Sequence, residues 1–239
     1  AIKIGRFPEQ IAITPDGNRA YVTNFGSNTV SAIDIATNSL IVKAIKVGRG
    51  PAAIAITPDS KYIYVASTRS NTVSVIDTAT NKAAAKAIGV GRGPAAIAIT
   101  PDGNRAYVAN MRDDTVSVIN TASSKAVRRI RTGDTPSALA ISPDGSHVYV
   151  VNARDDSVSA IDTATGKPAV KPIEVGNRPT AMAITPDGDR AYVTHLEPGI
   201  VSVIDLTTGT PAAKPIRIGP FPIALAITPD GSRVYVVKN

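Results

Sequence analysis

The chain has 239 residues, 43% of them hydrophobic and 19% charged, with 18 Gly and 18 Pro; this suits one large or two small globular domains and excludes a disordered, collagenous or coiled-coil chain. It has no cysteine, so disulfides, thiolate metal sites and thiol nucleophiles are excluded. The 26 Lys and Arg against 19 Asp and Glu give a net charge of +7, which favours anionic partners only where the charges gather.

Residues 1–5 read as a short outer strand, expected on the edge of the last sheet. Behind them one sentence is spelled six times, the sixth time only as far as its Tyr-Val step: Gly-x-x-Pro, an Ile-Ala-Ile run, Thr/Ser-Pro-Asp, Ala-Tyr-Val, Val-Ser-Val-Ile-Asp and a Thr-rich turn. Its Pro-Asp step recurs at Pro15, Pro58, Pro101, Pro143, Pro186 and Pro229, with spacings of 43, 43, 42, 43 and 43 residues. In the second unit the alternation of apolar and polar residues predicts strands over 53–57, 62–66, 72–77 and about 84–90. Pro58-Asp59-Ser60, Pro-Asp-Gly in the other five units, is turn chemistry: Pro fixes φ and Asp bonds its own backbone. Four short antiparallel strands repeated at this period predict an all-β fold, a β-propeller of four-stranded antiparallel blades forming one domain over residues 1–239. Helical solenoids are excluded by the lack of a 3.6-residue period.

The inner strand carries a small residue at one position, Ala12, Ala55, Ala98, Ala140, Ala183 and Ala226, where blades converge. Tyr21, Tyr64, Tyr107, Tyr149, Tyr192 and Tyr235 recur on the second strand and are expected to fill space between blades. The six turn aspartates, and Asp34, Asp77, Asp162 and Asp205 after the third strand, are read as backbone-bonding groups rather than a metal ring. Six complete units would need about 258 residues, so the sixth blade is incomplete, lacking its third strand. A further chain segment or a second copy of the chain is expected to complete it by strand addition. The chain opens on Ala1 rather than Met, which is expected where a leader or further domain has been removed. No apolar run reaches the roughly 20 residues of a membrane helix.

Ala20-Tyr21-Val22-Thr23-Asn24 and Ala191-Tyr192-Val193-Thr194, flanked by Thr14-Pro15-Asp16-Gly17 and Val73-Ser74-Val75-Ile76-Asp77, resemble the YVTN β-propeller repeat family across essentially the whole chain. The resemblance implies a surface-layer, periplasmic or secreted protein of bacteria or archaea, at the cell surface or outside the cell, with a binding or structural role.

Catalytic raw material is sparse. There are two histidines, His147 and His195, and three glutamates, Glu9, Glu174 and Glu197, so no catalytic or metal site is assigned and no cofactor is expected. In propellers the interblade loops share one face with the loops joining second and third strands. Here the former carry Arg6, Arg49, Arg92 and Arg178, and the latter Arg69, Arg112 and Arg154. Asp113, Asp114, Asp155 and Asp156 follow two of these arginines and are expected to pair with them. Phe7 and Phe221 in interblade loops and Phe25 in the first second-to-third loop lie on the same face, expected to cluster where the sixth and first blades meet. The reading is a non-catalytic propeller that binds a protein, a glycan or another anionic ligand through Arg6, Phe7, Phe25, Arg49, Arg69, Arg92, Arg112, Arg154, Arg178 and Phe221. Nucleic acid is disfavoured because no RNA-binding motif or long basic run is present. Two alternatives stand beside it: a channel-mouth hydrolase or lyase, lactonase-like, using His195 and Glu197, and a passive structural module of a surface layer.

Overall fold

The computed structural model describes residues 1–238, which divide into two compact units, Ala1–Arg129 and Ile130–Asn239. The described residues form strands and no helix. The four-stranded antiparallel sheets are arranged as propeller blades, as the repeat predicts.

In the first unit, blade one runs Pro8–Ile13, Arg19–Asn24, Thr29–Asp34 and Ser39–Lys46, hydrogen-bonded in that order. Blade two has Pro51–Ile56, Tyr62–Ser67 and Thr72–Asp77, and its outer strand is split into Lys82–Ala83 and Ile88–Gly89, both pairing with the third strand. The expected strand over 84–90 is therefore corrected: the Ala-rich stretch lacks the β-branched side chains that hold blade one's Leu-Ile-Val outer strand in register. Blade three has Pro94–Ile99, Arg105–Asn110, Thr115–Asn120 and Lys125–Arg131. In the second unit, blade four has Pro136–Ile141, His147–Asn152, Ser157–Asp162 and Ile173–Glu174. Blade five has Pro179–Ile184, Arg190–His195, Ile200–Asp205 and the outer pieces Thr210–Pro211 and Ile216–Arg217. The sixth repeat supplies a hairpin, Pro222–Ile227 with Val234–Lys238. Residues 1–5 form no strand, contrary to expectation.

Blades pack by alternation: side chains two apart on a strand share a face, so each central strand feeds two interblade layers. Between blades two and three, Tyr64, Ala66, Val73 and Val75 meet Ile97, Ala106, Val108 and Ile119. Between blades four and five, Tyr149, Val151 and Val158 meet Ala191, Val193 and Ile204. Tyr21, Tyr64, Tyr107 and Tyr149 are buried as expected, but Tyr235, on the two-stranded hairpin of the sixth repeat, is 57% exposed.

The aspartates behave as turn builders. Asp102 Oδ1 accepts the Asn104 amide at 3.0 Å and the Thr100 hydroxyl. Asp77 Oδ1 accepts the Thr80 amide and hydroxyl at 2.7 and 2.9 Å. These bonds to the ionised form hold both carboxyls below the usual carboxylate range.

Candidate functional site

The loop face of each unit is built from Gly-x-y-Pro. The Gly is required by close approach: a Cβ at Gly91 would lie 2.6 Å from the Asn110 side chain, and one at Gly5 equally close to Asn24. Those asparagines are buried at the end of the second strand, where Asn110 Nδ2 donates to Thr115 Oγ1 at 3.1 Å and Ser117 Oγ at 2.9 Å. The y residue has left-handed φ. Glycine meets this at Gly50 (+65°) and Gly93 (+64°), whereas Phe7 (+49°), Thr135 (+58°), Arg178 (+52°) and Phe221 (+58°) adopt it with a side chain. Each of these costs on the order of 1 kcal/mol, the kind of strain that gathers at functional loops. Arg178 thus occupies the position of Phe7 and Phe221, not that of Arg6, Arg49 and Arg92.

In the first unit, Arg69 lies over the Phe25 ring at 4.7 Å, a cation–π contact. Phe25 donates its amide to the Phe7 carbonyl at 2.8 Å, so these two aromatics come together on blade one. Phe7 is 73% exposed. The first-unit arginines do not pair as expected. Asp113 accepts from Arg92, Nε to Oδ1 at 2.6 Å and the amide to Oδ2 at 2.7 Å, rather than from its neighbour Arg112. Ser27 and Ser70 occupy the equivalent place and take the Arg6 and Arg49 amides. These side chains are clamps on the interblade loop, which leaves the guanidinium groups of Arg6, Arg49 and Arg112 without an ion pair among the described residues.

In the second unit, Asp155 and Asp156 act the same way. Asp155 Oδ2 takes the Asp134 amide at 2.6 Å and Asp156 Oδ1 the Arg178 amide at 2.8 Å. Arg154 forms no ion pair among the described residues. Phe221 is 46% exposed, its amide donating to the Leu196 carbonyl at 3.1 Å.

His195 and Glu197 are separated by burial. His195 stands where blades one, three and four carry Asn24, Asn110 and Asn152, and is fully buried. Its Nδ1 lies 3.0 Å from the Asn177 carbonyl oxygen, which assigns the proton to Nδ1, and Nε2 has no partner. Burial lowers the imidazole pKa and keeps it neutral. Its reading in the alternative as a channel-mouth acid or base is corrected: the second-strand end is interior in blades one to five. Glu197 is exposed, its Oε2 2.9 Å from Arg178 Nη1. Leu196 donates its amide to the Arg178 carbonyl at 3.1 Å, so His195, Leu196 and Glu197 together hold the Asn177-Arg178 loop. Sequence reasoning missed this clamp, although the repeat shows it as a histidine in an asparagine column.

Compared with known proteins, residues 10–178 match the family described as lactonase, seven-bladed β-propeller. No curated protein matches the chain. It is similar to a solved structure of Kuenenia stuttgartiensis hydrazine synthase, at TM-score 0.87 and 28% identity over 99% of this chain and 75% of that one. It is also similar to a functionally unknown protein from Desulfotomaculum acetoxidans, at TM-score 0.79 and 21% identity over 96% of this chain and 74% of that one; at that identity the likeness is one of fold. The YVTN resemblance is borne out to the level of the propeller. The expected non-catalytic binding role is overturned by the family match, which points to hydrolysis, although propellers serve enzymes and non-enzymes alike. The chain belongs to the lactonase family of seven-bladed β-propellers.

Proposed function

We propose that the protein hydrolyses a lactone and that Glu197 and Arg178, on the loop face of the second unit, are its working pair. The family match over residues 10–178 carries the hydrolysis, and the contact of Glu197 with Arg178 supports the choice of the pair. Glu197 Oε2 is engaged by Arg178, which leaves Oε1 to take a proton from water as general base. The water oxygen attacks the lactone carbonyl carbon, and the remaining guanidinium N–H groups of Arg178 receive the oxyanion. Collapse breaks the ring C–O bond, and the proton held on Glu197 passes to the departing ring oxygen. Lactone and water thus give the open hydroxy acid, and the carboxylate is restored. His195 is a positioning residue: its Nδ1–H holds the Asn177 carbonyl, one peptide from Arg178. The guanidinium group of Arg154 in the same unit, without an ion pair among the described residues, favours an anionic lactone by long-range attraction.

The test is proton release in a pH-stat with lactones of one ring size that carry a carboxylate, a phosphate or no charge. The expected result is faster turnover of the anionic ones, with kcat/KM falling as salt rises. Release no faster than the buffer rate for all three would overturn the reading.

A further inference from the structure

The second unit contains a cavity of about 550 Å3 between blades four and five, lined by neither Glu197 nor Arg178. Two repeat positions open it, and a third lines it with an apolar side chain. In the first unit, Arg19 reaches from blade one to the Thr78 carbonyl of blade two, and Tyr21 donates its hydroxyl to Asn81 Oδ1 at 2.8 Å. Blade four has His147 where blade one has Arg19, and blade five has Leu206 and Gly209 where blade two has Thr78 and Asn81. The imidazole is too short to cross. It stays in its own blade, Nδ1 2.7 Å from Ser146 Oγ and its ring 6.1 Å from that of Tyr149.

Tyr149 is left without the partner that Tyr21 and Tyr64 have. It is 6% exposed and lines the cavity, and its hydroxyl makes no hydrogen bond among the described residues; the matching Tyr64 hydroxyl donates to the Thr121 carbonyl at 3.3 Å. A hydroxyl of a residue so largely buried that opens on a cavity with no protein partner is placed to pair with a ligand there. The cavity also carries the carboxylates of Asp144, Asp187 and Asp189, and apolar walls from Val170, Ile173 and Leu206. Its volume is in the range of small-molecule sites.

We propose that this cavity is a second ligand site, for a small amine with an apolar body and a hydroxyl: the ammonium meets the aspartates, the body lies on Val170, Ile173 and Leu206, and the hydroxyl pairs with Tyr149. The probe is tyramine, and 3-(4-hydroxyphenyl)propionate is the control with the same body and opposite charge. Calorimetric titration of the full chain is expected to show tyramine binding at least about tenfold tighter than the anion. Gly209→Asn restores the first unit's arrangement. The backbone accepts it, because φ is +68° at Gly209 and +56° at Asn81, and a Cβ there meets nothing nearer than Ile173 Cδ1 at 4.0 Å. This variant is expected to lose tyramine binding by about tenfold or more and to melt at higher temperature, since Tyr149 gains a partner. Tyr149→Phe, which keeps the ring, is expected to weaken binding by about threefold or more and serves if Gly209→Asn fails to fold. Glu197→Gln is expected to bind tyramine as the unmodified chain does, which separates this site from the lactonase reading. Absence of saturation up to about 10 mM tyramine, equal binding of the anion, or unchanged binding by the folded variants would overturn the proposal.

Discussion

Replacing Asn110 by Ala tests the buried clamp that shapes the loop face. Asn110 is fully buried and donates to Thr115 Oγ1 and Ser117 Oγ, while Ser117 Oγ also accepts the Gly91 amide at 3.2 Å. Two bonds at about 1 kcal/mol each give about 2 kcal/mol. The small cavity left beside Gly91 adds to that loss, and removal of the unpartnered Oδ1 offsets part of it, so the expected net cost stays near 2 kcal/mol. With a urea slope of about 2.5 kcal/mol per molar, the unfolding midpoint should fall by about 0.8 M. The assay is equilibrium urea unfolding followed by tyrosine fluorescence and circular dichroism, read for the earlier transition if the two units unfold separately. Asn110→Ser, which copies Ser67 of blade two, recovers neither bond, since the Ser67 hydroxyl has no partner, and should cost about as much. A shift for Asn110→Ala below about 0.2 M would refute the reasoning.

The converse change, Ser67→Asn, should stabilise the first unit by about 1 kcal/mol, because Ser67 Oγ and Thr72 Oγ1 are buried without partners and an amide there would reach both Thr72 and Ser74; chemical denaturation measures it. The hydroxyl of Ser142, with the amide and hydroxyl of Ser146, lowers the Asp144 carboxyl to about 2 from its ordinary 3.8. A carboxyl depressed on folding stabilises the protein above its unfolded pKa and loses that contribution as pH falls toward the folded value. Asp144→Asn should therefore lower the melting temperature at pH 7 and make it fall less steeply between about pH 4 and 2, as thermal scans across that range would record. Arg178→Gly should relieve the left-handed strain at +52° and match or exceed the unmodified chain's stability by up to about 1 kcal/mol, while lactone turnover is lost; a destabilised yet fully active variant would contradict both halves.

The period of 43 residues made the blade legible because every unit repeats the same apolar alternation and the same Pro-Asp turn. Asp102 and Asp77 do in the structure what turn chemistry requires of them. The loop face was legible in part. That Arg92 would be neutralised by Asp113 while Arg112 beside it stays unpaired depends on which loop stands opposite, a relation between adjacent blades that adjacency along the chain hides. His195 read as a surface residue because the residues after it form a loop. Its place in the column of Asn24, Asn110 and Asn152 is what buries it, and that column was visible in the repeat. The cavity beside Tyr149 follows from Gly209 standing where blade two has Asn81. A missing side chain leaves no motif to notice until the hydroxyl that it would have paired is seen without a partner.

The central claim is tested most directly by lactone turnover in Glu197→Gln compared with the unmodified chain, at matched folding by circular dichroism. Gln keeps a hydrogen-bond acceptor for Arg178 but cannot take the proton from water. The account predicts a fall in kcat of about 100-fold or more with KM little changed. Turnover within about threefold of the unmodified chain would remove Glu197 from the chemistry and contradict the account.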